Sequence, residues 1–157
     1  MPEILEKEIM EEDTLGDRFL TFQLDNEVYG IEIRYVTEII GIQSITELPE
    51  LPDYIRGIIN IRGKIIPVMD VRLRFKKSFK EYNDRTCVII VNINEVSIGL
   101  IVDSVSEVVS IPKTEIVAPP EIGKEGNKFI KGVGKSGEDI KLLLDCEKLL
   151  NHQDTEH

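Results

Sequence analysis

The sequence has no tryptophan, two cysteines and two histidines, and both histidines, His152 and His157, fall in the last six residues. The body of the chain therefore has no imidazole, which removes the usual general base and the usual zinc ligand of a core site. Cys87 and Cys146 are not spaced as metal ligands, and neither has a histidine to form a thiol nucleophile pair. In a reducing compartment they read as small apolar residues. No apolar run approaches the roughly 20 residues of a membrane-spanning helix. The N-terminus, MPEILEKEIMEED, lacks the basic flank and apolar stretch of a secretory signal. The chain is expected to be cytoplasmic, with no direct membrane insertion, and nothing in it nominates an enzyme, a metal or a cofactor.

Positive charge is also scarce, at 19 Lys and Arg against 29 Asp and Glu. A net charge of -10 argues against general affinity for nucleic acid or anionic membranes. The deficit is uneven. Residues 54–80 carry Arg56, Arg62, Lys64, Arg72, Arg74, Lys76, Lys77 and Lys80 against Asp70 alone. This stretch reads either as a solvated strand edge kept from pairing by its charges or as a docking surface for an acidic partner. A small β-barrel that binds nucleic acid through residues 54–80 is the alternative function.

What the chain does have is an internal repeat. Residues 19–40, FLTFQLDNEVYGIEIRYVTEII, overlay residues 88–109, VIIVNINEVSIGLIVDSVSEVV, at an offset of 69. Gly30 falls on Gly99, Val36 on Val105 and Glu38 on Glu107. At an offset of 75, Ile55-Arg56-Gly57-Ile58 meets Ile130-Lys131-Gly132-Val133, and Val68-Met69-Asp70 meets Leu143-Leu144-Asp145. One period of this length means two related copies, roughly 15–83 and 84–151, with terminal strands free to cross between barrels, and not a solenoid. Residues 1–14 and 152–157 are polar ends expected to be disordered.

Each copy reads as β. Leu20, Phe22 and Leu24 alternate with Thr21 and Gln23, the period of a half-buried strand. LDNEVYG and INEVSIG are polar breaks between strands, as in hairpins. Around Val36–Ile40 the spacing loosens towards a short helix. The prolines, Pro67 among them, fit linkers and strand starts better than central strands. Short strands with Gly, Pro and Asn punctuation suggest small barrels or a sandwich. Units this small are marginal alone.

Two formal motifs are set aside. GVGKSG, Gly132 to Gly137, matches GxGxxG but leads into the strand-like EDIKLLLD rather than a helix, so a hairpin turn explains it. Phe129 stands where a phosphate-binding loop needs its first glycine. Glu38 and Glu107 could form part of a carboxylate acid/base pair, although their recurrence favours a shared structural role.

The copies disagree at one turn: NIRGKII in the first becomes KSGEDIK in the second. A scaffold requirement should appear twice, so a feature present once points outside the scaffold. Arg62 could be held by a carboxylate such as Glu38, fixing its planar fork for recognition or serving as a plain internal salt bridge.

FLTFQLDNEVYGIEIRYVTEII, LPDYIRGIINIRGKIIPVMDVRLRF, VIIVNINEVSIGLIVDSVSEVV, IKGVGK and LLLDCEKLL together resemble the CheW family of chemotaxis coupling proteins, from about Asp17 to Asn151. The resemblance implies a mainly β fold: two five-stranded SH3-like barrels packed on each other, with short helical segments. It also implies a non-enzymatic cytoplasmic adaptor without cofactor. Its partners would be the cytoplasmic tip of a chemoreceptor (a methyl-accepting chemotaxis protein) and the regulatory domain of the histidine kinase CheA, in signalling arrays. The family's receptor groove, between the barrels, maps onto Ile33, Val36, Glu38, Gly57, Arg62, Val88, Val105 and Val108. Kinase contact is placed on a strand edge with Ile39, Ile40, Ile42 and Ile45.

Overall fold

The structure is a computed structural model that describes residues 17–120, 128–136 and 138–151. The two polar ends expected to be disordered, 1–14 and 152–157, lie outside the described residues. Two compact units emerge. The first gathers residues 17–22, 26–35 and the described residues between 106 and 151; the second gathers 23–25 and 36–105.

Eleven strands build two sheets: β1 (Arg18–Leu24), β2 (Glu27–Glu32), β3 (Val36–Gly41), β4 (Ile55–Ile61), β5 (Lys64–Asp70), β6 (Cys87–Ile93), β7 (Val96–Val102), β8 (Ser104–Ser110), β9 (Ile116–Val117), β10 (Ile130–Ser136) and β11 (Asp139–Leu144). The sheet orders are β8-β1-β2-β11-β10-β9 and β3-β6-β7-β5-β4. Both are mainly antiparallel, with one parallel pair each, β2 with β11 and β5 with β7. In the first, the outer strands β8 and β9 are consecutive in the chain. In the second, the chain leaving β3 returns to β4 through a bridge between Thr46 and Ile58. These are the two SH3-like barrels, the first with the two-residue β9 as a sixth strand.

The repeat copies interleave between the units. In the first sheet β1 and β2 of the first copy lie between β8 and β11 of the second, while in the second sheet β3 and β5 of the first copy flank β6 and β7 of the second. The registers are copies of one another: Leu143 faces Gly30, and its counterpart Val68 faces Gly99. The matched glycines make room there, since a Cβ on Gly30 would lie 2.9 Å from Leu143 Cδ2 and one on Gly99 2.6 Å from Val88 Cγ1. The matched aspartates also share a task. Asp70 accepts from Leu73 N at 3.3 Å and caps α1 (Val71–Arg74); Asp145 accepts from Lys148 N at 3.1 Å and caps α2 (Cys146–Leu150).

Three local expectations need correction. Thr21 is fully buried beside Leu20 and Phe22, so β1 is covered on both faces. Its hydroxyl donates to Glu107 O and accepts from Glu107 N, which replaces the lost solvent. The helical turn falls one step earlier than expected, at Ile33–Tyr35, and Val36–Gly41 is strand. Pro67 lies inside β5, but the ladder to β7 begins at Val68, so the missing N–H falls outside it. Of the Gly132–Gly137 motif, Gly132 to Ser136 lie in β10, which pairs antiparallel with β11 from Ser136–Asp139 onward, and Gly137 lies outside the described residues.

Both thiols are free. Burial, with Glu32 nearby, pushes the Cys146 thiol up to about 12. An unfolded chain would ionise it from about pH 8.5 upwards. Stability held by the neutral thiol is thus complete below that pH and is lost as pH climbs through the folded value. A Cys146→Ala variant should show a shallower alkaline fall in melting temperature than the unsubstituted chain. Iodoacetamide should label the half-buried Cys87 first.

Candidate functional site

Strands β4 and β5 form a hairpin in which Ile61 pairs with Lys64, leaving Arg62 and Gly63 as the two turn residues. Their φ angles are 50° and 85°, the doubly left-handed turn whose twist suits a tight hairpin. Asn60 begins it, its side-chain oxygen accepting from Gly63 N at 2.9 Å. In the second copy the sequence has Gly137, which lies outside the described residues, at the position matching Arg62. Glycine takes such a backbone freely, whereas arginine takes it under strain.

Arg62 is turned towards one partner. Its Nη2 donates to Glu38 Oε1 at 2.5 Å, and that bond raises the guanidinium above its ordinary value. Glu38 sits on β3 next to a register shift in the pairing with β6. Its carboxylate is 31% exposed while Arg62 is 72% exposed, so the fork is fixed at one side and open at the other. The carboxylate expected from the sequence to hold Arg62 is the one that does. Glu107, the counterpart of Glu38, is exposed in a copy whose turn carries no arginine.

The other candidates divide between the units. Val36, Gly57, Val88 and Val105 join Glu38 and Arg62 in the second; Ile33 and Val108 belong to the first. Val88 presents no surface: it is fully buried among Ile59, Ile66, Val68, Ile90 and Ile101. Gly57 is buried against the chain's own backbone at Thr46. Val36, Ile33 and Val105 are half-buried, and Val108 is exposed. Among the residues placed at the kinase contact, Ile40, Ile42 and Ile45 pack against the same core, and Ile39 alone is exposed.

The basic stretch 54–80 is not one surface. Arg74 is buried over the Tyr54 ring, its Cζ 4.5 Å from the centroid. Arg72 is buried as well, with Nη1 donating to Asp25 at 2.8 Å and Asp103 at 2.9 Å, and Nε to the Ser78 carbonyl at 3.0 Å. The Arg72 bond holds the Asp25 carboxyl below its ordinary range. Two of the eight cations are thereby withdrawn from any phosphate backbone. Nothing local in the sequence flags this network, because its members come from three separate segments. An Arg72→Met variant leaves the Asp103 carboxylate short of its cation and should cost about 2–4 kcal/mol. A melting temperature about 5–10 °C lower in calorimetry would be the readout.

Among the described residues, no group of three or more His, Cys, Asp or Glu side chains is placed to hold a metal. A cleft beside Asp70, Arg72 and Tyr82 offers about 10 Å³, room for roughly one water molecule. No helix among the described residues is long and apolar enough to cross a membrane.

Two SH3-like barrels, one of which holds an arginine on an unmatched turn against a glutamate of β3, define a β-barrel interaction module. Residues 18–154 match the family model described as a CheW-like domain. The chain is 38% identical over 143 residues to the chemotaxis protein CheW of Klebsiella aerogenes, covering 90% of this chain and 86% of that protein. It is 32% identical to the CheW of Treponema pallidum, covering 87% and 84% respectively. Among solved structures, the scaffolding protein TtCheW of Thermoanaerobacter tengcongensis superposes with a TM-score of 0.77 at 37% identity, over 82% of this chain and 88% of that one. The chain belongs to the CheW family.

Proposed function

We propose that the chain is a non-enzymatic cytoplasmic adaptor that couples chemoreceptor signalling tips to the histidine kinase CheA in arrays. Membership of the CheW family supports the class, and the Arg62–Glu38 pair supports the site. The observation that carries it is the turn itself. One copy of the scaffold places a strained, carboxylate-held arginine where the other has glycine, and the framework needs neither the strain nor the charge there.

The mechanism is coupling without chemistry. The surface of the second unit that carries Arg62 and Glu38, with Val36 and Val105 as apolar contacts, takes the helical receptor tip, in the manner of a helix laid on an apolar groove, and Ile33 and Val108 of the first unit are contacts of the same partner. Gly57 and Val88 serve that surface from beneath, by shaping it. On the kinase side Ile39 is the exposed contact, backed by Ile40, Ile42 and Ile45. Holding both partners raises the effective concentration of each for the other.

The test is a pull-down with a receptor cytoplasmic fragment and CheA, followed by reconstituted kinase assays. Capture of both partners and receptor-dependent activation are expected. Failure to capture either at micromolar concentration would overturn the proposal.

A further inference from the structure

The loop after α1 lies outside the residues assigned above to the receptor and the kinase, yet it is held in place by several contacts. Its segment Lys76-Lys77-Ser78-Phe79-Lys80 holds three cations in five residues of a chain with net charge -10. At an offset of 75 the second copy reads Asn151-His152-Gln153-Asp154-Thr155, with neither a lysine nor an aromatic residue. The scaffold therefore does not require this composition.

The loop is also held from below. Lys77 N donates to Arg72 O at 2.8 Å, and the buried Arg72 side chain donates to Ser78 O at 3.0 Å while tied to Asp25 and Asp103. Further on, the Tyr82 hydroxyl donates to the buried Asp70 carboxylate at 2.7 Å. On that base the Phe79 ring stands edge-on to Tyr82, with centroids 5.4 Å apart, and under the Arg56 guanidinium at 5.1 Å. Even so, Phe79 remains 49% exposed. A buried ion network thus fixes the pose of an exposed phenyl ring among lysines, and a surface held in advance loses little ordering entropy when it binds.

We propose that residues 76–80 form a second docking surface, distinct from the Arg62 turn, for an acidic peptide segment that carries apolar side chains. Carboxylates would meet Lys76, Lys77 and the half-exposed Lys80, whose Nζ already lies 3.7 Å from Asp103 Oδ2, and an apolar side chain would cover the exposed part of Phe79. A short acidic segment fits better than a nucleic acid or an anionic bilayer. The patch is small, Glu81 and Asp84 follow it at once, and an extended polyanion would meet the field of the remaining acidic surface.

The test uses the full chain and a short labelled peptide of alternating glutamate and leucine, read by fluorescence anisotropy. Binding is expected at low salt and should weaken as salt is raised. Replacing Lys76, Lys77 and Lys80 together by glutamine should weaken it at least about tenfold. Phe79→Ser, which leaves every cation in place, should weaken it several-fold, and thermal melts confirm that each variant is folded. Three results overturn the proposal: no binding by the unsubstituted chain at low salt, binding by either variant as tight as that of the unsubstituted chain, or tighter binding of a single-stranded oligonucleotide or phosphatidylserine vesicles than of the peptide.

Discussion

An Arg62→Asp chain should fold and melt like the unsubstituted protein, yet lose receptor-dependent activation of CheA by at least about tenfold. Folding survives because the site is an exposed turn, and aspartate tolerates the left-handed backbone that Arg62 occupies. Coupling fails because the cation is gone and two carboxylates face each other across the Glu38 contact. Exchanging the charges separates recognition from scaffolding. A chain carrying both Arg62→Glu and Glu38→Arg regains an ion pair but presents the guanidinium from β3 instead of the turn. If Arg62 recognises the receptor, the exchange stays uncoupled. Restored coupling in the exchanged chain would reduce the pair to an internal salt bridge and remove Arg62 from the site.

Gly57→Ala should act in the opposite sense, failing at the level of the fold. Gly57 has φ of 144°, and a Cβ there would run into the carbonyl oxygen of Thr46. That carbonyl accepts from Ile58 N at 2.9 Å, and Thr46 N donates to Ile58 O at 2.9 Å. These two bonds carry the bridge by which the chain leaving β3 returns to β4. Backbone strain and overpacking together cost about 3 kcal/mol or more. Calorimetry should show a melting temperature lower by about 10 °C. The second copy supplies a control. At Gly132 the nearest atom to an added Cβ is Ile116 Cγ2 at 2.7 Å, a side-chain methyl and not a backbone atom, and Gly132 does not have the positive φ of Gly57. Gly132→Ala should therefore cost distinctly less. Equal melting of the two variants would contradict the backbone clash.

Glycine and arginine on the same hairpin were thus legible to different degrees. Arg62 stood out because it occurs in one copy only, and the sequence offered Glu38 as its holder. Gly57 occurs in both copies, at Gly57 and Gly132, and that recurrence is what a structural duty looks like. That Val88 is buried, with Ile40, Ile42 and Ile45 half-buried against the same core, was not legible, for a common reason. Apolar residues in strands carry no sequence mark of whether they face a partner or the chain's own core. The Arg72 network was hidden altogether, since Asp25, Arg72, Ser78 and Asp103 meet only after folding.

By itself the sequence determined the β character, the doubling of a unit of about 70 residues and the one turn that breaks the doubling. These are local patterns, and strand alternation, hairpin chemistry and matched glycines can be read along a chain. Only the tertiary structure decided that the copies interleave, with β2 beside β11 and β5 beside β7, and which arginines of the basic stretch are buried. Strand pairing and ion pairing join residues far apart in the chain, and their partners are chosen by the burial and hydrogen bonding of the folded molecule.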